Sequence, residues 1–310
     1  GLVYFSQKVP EFNFMANIDT LNLYNTQLFK EDIAFSGRVN AEFSGNTIDD
    51  FLGDANISNA SLTRNGFPLS FDSLSISSTT NDSTKHLRIA SNEFSVDVDG
   101  VFKIRDLPNS VTAFLSRYYP AYIKAPQAAV PQQSFNFDIK TSNFNQFASI
   151  IDSSLQGFDN SRITGGINTA ANNLFLDVNV PYFKFRQFDF SNVDIDASGT
   201  YDSLTLYGSV SNIGITDSLK VQLATFNIKA HNDVSEVSVF TGTGNSKALD
   251  QARLNAVVNT YNNGVGIRFN PSSFMLNSKT WTIEDKGELE FRKNAPAHGL
   301  LVLKESTQEI

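Results

Sequence analysis

The stretch Ile33-Ala34-Phe35-Ser36-Gly37-Arg38-Val39-Asn40-Ala41-Glu42-Phe43 decides the fold. Apolar or small residues hold every odd position, and polar ones fall mostly between them. A strand turns successive side chains to opposite faces, so a period of two makes one greasy and one wet surface. The same period runs through Phe12, Phe14, Ala16 and Ile18, and through Phe94, Val96, Val98, Gly100, Phe102 and Ile104. It returns in Leu174–Val180, Leu204–Val210, Ala252–Val258 and Val265–Phe269. Short polar stretches at Asn65-Gly66, Asn81-Asp82-Ser83, Tyr201-Asp202-Ser203 and Asn262-Asn263-Gly264 suit hairpin turns, which make neighbouring strands antiparallel. At one strand per 8–12 residues the chain holds roughly 20 to 25 strands. The fold class is therefore all-β.

Two segments break the period. Asp106 to Tyr119 reads as a helix, with Asp106 as N-cap, Pro108 in the first turn, Val111, Phe114, Leu115 and Tyr118 on one face, and Pro120 as the stop. Ser142 to Leu155 reads as a second, with Phe144, Phe147, Ile151 and Leu155 at helical spacing. Between them, 124–134 is the one linker-like stretch, rich in Pro, Ala and Gln. The expected organisation is a sheet segment over 1–123 ending in a helix, the linker-like stretch 124–134, and a helix followed by continued sheet over 135–310.

The chain has 310 residues with 24 Lys and Arg against 32 Asp and Glu, a net charge of −8. That balance argues against nucleic acid as partner, since no cationic surplus exists to displace counterions, and against electrostatic docking on anionic lipid. With 27 Phe the chain has ample apolar mass, and with no Cys it has neither disulfides nor thiolate metal sites. No run approaches the roughly 20 apolar residues that cross a bilayer as a helix. The sequence opens at Gly1 already inside a hydrophobic stretch, which reads as a piece of a longer protein whose anchor or export signal lies outside it.

Nothing in the sequence carries catalytic chemistry. No nucleophile elbow, phosphate loop or zinc motif is present. His86, His231 and His298 are scattered and read as solvated. Asp97 with Asp99, and Asp194 with Asp196, place carboxylates on one strand face, a weak Ca²⁺ signal that lacks the rest of a binding loop. The alternating polar face explains both pairs. A carboxylate pair for glycoside hydrolysis has no fixed sequence spacing, and no pair stands out. Trp281 alternates with Ile283 and reads as core. The expectation is a non-enzyme without cofactor or metal.

More than 20 strands exceed what an open twisted sheet sustains without curling or splitting. A large barrel, a string of sandwiches and a long curled trough are the three solutions. Sandwiches call for repeated linkers, and one is visible, so the preferred reading is an apolar-in trough. At about 4.8 Å per strand it would be on the order of 100 Å long.

Particular stretches resemble repeats of the TamB/AsmA-like proteins of Gram-negative bacteria. They are Phe35 to Ile57, Leu87-Arg-Ile-Ala-Ser91, Phe94-Ser-Val-Asp-Val-Asp-Gly100, the helix end Ser116-Arg-Tyr-Tyr-Pro-Ala-Tyr122, and Pro271 to Ile283 around Trp281. The resemblance spans most of the chain through strand and turn patterns of modest specificity, and includes no catalytic signature. It implies a long antiparallel sheet curled into a U-shaped β-taco with an apolar interior and two short helices inserted. It implies a periplasmic location, with the full-length protein anchored in the inner membrane. It also implies an Omp85-family outer-membrane barrel as partner, through regions of the full-length protein, and a role in outer-membrane protein assembly and in phospholipid transport between the membranes.

An interior of that kind would shelter phospholipid acyl chains. The residues expected to line it are Phe35, Val39, Phe43, Phe94, Val96, Val98, Phe102, Leu174, Leu176, Val178, Phe226, Ile228, Ile267 and Phe269. Gly37, Gly100, Gly165 and Gly208 would mark bends, or places where a side chain would block the path. Each apolar residue reads equally well as ordinary core. The competing classes are a surface adhesin or carbohydrate-binding stack of β-domains, for which low charge and abundant Asn and Thr also speak, and a polysaccharide-active β-enzyme.

Overall fold

The computed structural model describes residues 2–4, 9–22, 33–64, 67–215, 220–242, 250–276, 278–284, 287–305 and 308–309. The expected turn at Asn65-Gly66 lies outside them. The chain is all-β with two short α-helices, and every pairing with a defined register is antiparallel. It divides into two compact units, 1–107 with 133–166, and 108–132 with 167–310.

The first unit contains β1 (Leu2–Tyr4), β2 (Glu11–Asn22), β3 (Ile33–Ser44), β4 (Leu52–Arg64), β5 (Phe67–Asn81), β6 (Thr84–Ser91) and β7 (Phe94–Val101). The chain then leaves through helix α1 (Leu107–Tyr118), nearly all of it in the second unit, and returns as β8 (Ser134–Thr141), helix α2 (Asn145–Ile151), β9 (Leu155–Gly157) and β10 (Arg162–Asn168). Strands β2 to β8 pair each with the next in sequence. Directly opposed residues share a face, so the register assembles transverse rows. One row runs Phe12–Phe43–Gly53–Ser78–Leu87–Val98–Phe137, and the next Phe14–Ala41–Ala55–Ile76–Ile89–Val96–Ile139.

The second unit contains β11 (Asn173–Phe185), β12 (Phe188–Thr200), β13 (Leu204–Gly214), β14 (Lys220–His231), β15 (Val234–Thr241), β16 (Asp250–Tyr261) and β17 (Gly264–Phe269). Shorter strands follow: β18 (Ser272–Leu276), β19 (Lys279–Ile283), β20 (Glu288–Arg292), β21 (His298–Leu300), β22 (Leu303–Glu305) and β23 (Gln308–Glu309). Its rows are as continuous: Leu174–Gly199–Leu204–Ala230–Ser235–Val258–Ile267–Leu289, then Leu176–Ala197–Leu206–Ile228–Val237–Ala256–Phe269, then Val178–Ile195–Gly208–Phe226–Val239–Leu254.

The first helix lies within the Asp106–Tyr119 reading, with a 3-10 turn at Ile104–Asp106 leading into Leu107, but Val111 is exposed instead of sharing the buried face of Phe114 and Tyr118. The second is shorter than the Ser142–Leu155 reading. It ends at Ile151 because Asp152 turns extended and accepts the Ser154 amide at 2.8 Å, a local side-chain bond that competes with helix. Leu155 consequently sits in β9. Trp281, in β19 opposite Phe274, is half-buried.

Candidate functional site

The candidate site is the apolar face on which the expected wall residues stand. None of the fourteen expected wall residues is exposed: Val98 and Phe102 are buried and the other twelve are half-buried. A sheet face sealed by a second layer drives its middle rows to full burial, so these rows retain partial access to solvent.

Within the first unit the wall residues divide. Phe43, Val96 and Val98 lie in the two rows given above, and Val39 lies in the next, opposite Ile57. Phe35 and Phe94 are instead covered. Phe35 packs on the buried cluster of Ala60, Leu69 and Phe71, to which α2 contributes Phe147. The Phe94 ring meets those of Phe144 and Phe147 at 5.9 and 5.3 Å. Helix α2 is held there by the Asp159 carboxylate, which accepts the Phe144 and Asn145 amides, and by the Asn145 side chain, which accepts the Gly157 amide at 2.6 Å. Phe102 packs against Phe135 at 5.9 Å. The buried Lys85 closes the end of this face, its ammonium donating to the Asp49 carbonyl.

In the second unit all seven expected residues fall in three adjacent rows. Those rows are completed by Ile195, Ala197, Leu206, Val237, Val239, Leu254 and Ala256, which the sequence reading did not assign to the site. Alternation marks which face each residue takes; which residues stand side by side depends on register, and register on turn lengths. Gly208 has a different role from an open path. A Cβ there would stand 2.3 Å from the tip of the Phe226 ring, which fills its space.

A crease crosses this unit. One pair is missing from the ladder between Val180↔Val193 and Tyr182↔Ser191, and at the same level in the next strands between Val210↔Ala224 and Asn212↔Gln222, with the register unchanged on either side. Asn192, Leu223 and Gln251, on alternate strands β12, β14 and β16, stand there with φ of 48°, 51° and 46°. Beyond it the apolar phase slips by one residue, into the row Phe183–Phe190–Ile213–Val221. The row beside this break is the most buried, with Val180, Val193, Val210 and Ala224 between 2 and 5 % exposed. The broken ladder is repaired by a side chain: Thr241 Oγ1 accepts the Ala252 amide at 2.9 Å.

Helix α1 caps one end of the same face. Phe114 and Tyr118 have no solvent access, and Phe114 packs on Tyr201 at 4.6 Å. Tyr118 donates to the Thr200 carbonyl at 2.6 Å, in space that only a glycine at 199 leaves open. Asp233 accepts the Ala121 amide through both oxygens, and its own amide donates to the Tyr118 carbonyl at 2.7 Å.

The carboxylate pairs weighed for Ca²⁺ sit on the polar face. Asp97 holds Arg88 in a two-pronged pair at 2.6 and 2.8 Å, Asp99 pairs with His86, and Asp194 accepts the Asn179 amide at 2.6 Å. Opposite Asp97, Asp138 lies below the usual carboxylate range: partial burial raises it, but hydrogen bonds and charge from Arg162 and Lys140 outweigh that. Among the described residues no three His, Asp or Glu side chains converge on a point where a metal could sit, and no helix is long and apolar enough to cross a membrane. Comparison with protein families, curated proteins and solved structures returns no match to this chain.

Proposed function

We propose that the chain is a stretch of a bridge-like periplasmic scaffold of the TamB/AsmA-like kind. It shelters phospholipid acyl chains on its apolar face and supports transport between the inner and outer membranes, outer-membrane protein assembly, or both. The observation that carries the reading is the continuity of half-buried apolar rows across successive strands in each unit. An acyl chain exposed to water costs about 0.8 kcal/mol per CH₂. A face offering an apolar neighbour at each strand removes most of that cost without a deep trap, so a chain slides from row to row while its headgroup stays in water. The work is binding rather than catalysis, and the anchor and the Omp85-family barrel partner belong to the longer protein.

Native mass spectrometry and lipid extraction on the purified chain test this. Bound phospholipid is expected in the parent protein and lost in Ile228→Arg, which places a charge in the middle of an open row. Phe35→Arg and Phe94→Arg are poorer choices, since Phe35 packs on a buried cluster and α2 covers Phe94, so their replacement disturbs folding. A parent protein that carries no lipid, and takes up none when supplied, overturns the reading.

A further inference from the structure

The polar face of the second unit carries a depression that the apolar-face reading does not use. It spans β13 to β16 and encloses about 370 Å³. Two rows form its floor: Tyr207, Asn227, Ser238 and Asn255 stand opposite one another, and Phe240 stands opposite Arg253 in the next. Tyr207 is 59 % and Phe240 42 % exposed, large rings presented to water on a mainly polar face that also exposes Phe175 outside the depression. Two strands and one row separate them, about 12 Å. The Arg253 guanidinium stacks on the Phe240 ring at 5.5 Å, and no carboxylate among the described residues pairs with it. The depression continues past Phe240 and Arg253 into a second of about 500 Å³. A larger depression near β20, about 580 Å³, differs in chemistry: its Glu290 is occupied by Arg292 and His298.

We infer that this depression is a binding site for an extended glycan, with a carboxylate-bearing sugar at the Arg253 end. Exposed aromatic rings accept the C–H faces of pyranose rings, which are apolar and flat, and two of them at this spacing fit a chain rather than a single sugar. Carboxamides and hydroxyls between the rings match sugar hydroxyls. Ser238 already orients Asn255 by donating to its Oδ1 at 2.9 Å, while the Asn227 carboxamide and Tyr207 hydroxyl make no hydrogen bond among the described residues. Charge fixes the direction. Asp177 and Asp196 face each other beside Tyr207 and repel an acid there, whereas Arg253 lies four strands from Asp196. A glycan chain is thus neutral at one end of the site and acidic at the other.

Isothermal titration of the intact chain with a cellohexaose ending in a single glucuronic acid, with neutral cellohexaose, and with phosphatidylglycerol vesicles tests the inference. Saturable binding of the uronate-ended hexamer is expected. Tyr207→Ala and Phe240→Ala should each weaken it about tenfold, and Arg253→Gln should abolish the preference over cellohexaose. All three side chains are exposed, so unchanged thermal melts are expected and confirm folding. Absence of saturable sugar binding, indifference to the three substitutions, or binding to the vesicles in place of the sugar each overturns it. The site lies on the opposite face from the apolar rows, so Ile228→Arg should leave sugar binding intact, and the two readings fail separately.

Discussion

The Tyr118 hydroxyl is shut off from solvent and spends its proton on a carbonyl 82 residues away, at Thr200. Burial first, and the neighbouring Tyr201 second, push its pKa up to about 12 from the ordinary 10.0. At pH below 10 the group is neutral whether the chain is folded or not, and its contribution is complete. Between pH 10 and 12 the unfolded chain releases the proton and the folded one keeps it, so stability falls as pH rises, by about 1.4 kcal/mol per pH unit. Above 12 the loss levels off. Tyr118→Phe should cost about 1 kcal/mol at neutral pH and flatten that alkaline slope relative to the parent. Urea melts of both proteins from pH 7 to 11.5 read the difference; parallel slopes would refute a sealed Tyr118. The helical spacing of Phe114, Leu115 and Tyr118 made the buried side of α1 legible in the sequence, although Val111, read on the same face, is exposed. Its acceptor was not, because a contact across 82 residues leaves no periodic trace.

Strand identity was legible because the period of two is a direct image of the pleat. The crease was not. Asn192 tolerates a left-handed backbone and hints at one, but Leu223 and Gln251 give no such sign, and they adopt it at the level where successive ladders each lack a pair. The apolar runs read from sequence stop at Val180 and Val210, each just short of the slip, because the apolar phase changes there. Leu223 therefore stands in a strained conformation with 58 % of its surface in water. Leu223→Gly should relieve that strain at little cost in packing and raise stability by about 1 kcal/mol. Leu223→Val should lower it, since a β-branched side chain suits the left-handed region least. Chemical denaturation orders the three proteins, and a glycine variant no more stable than the parent would show that the crease does not strain Leu223. Helix α2 carries the same lesson. Its Phe spacing was read over fourteen positions, but an Asx-type bond at Asp152 ended it after seven residues.

At the scale of the molecule, the face of each wall residue could be read from the sequence, but its neighbours and its cover could not. Alternation places Phe94 and Ile228 alike on the apolar side; only the fold shows that α2 roofs the first while the second lies in an uncovered row. If the apolar rows receive acyl chains, lipid must be felt at alternate residues along a strand and at no others. The chain has no cysteine, so single cysteines can be placed without background. A polarity-sensitive fluorophore on Val178→Cys or Ile228→Cys should shift to the blue when a short-chain phosphatidylcholine is added below its micelle concentration. The same label on Asn179→Cys or Lys229→Cys, one residue along and on the opposite face, should not respond. A contrast between adjacent positions is one that general stickiness, unfolding or vesicle adsorption does not produce, since each of these would move both members of a pair. Equal shifts at 178 and 179 would mean that lipid meets the chain without respect to its faces. Silence at both would mean that the rows are ordinary core, and their partial exposure without function.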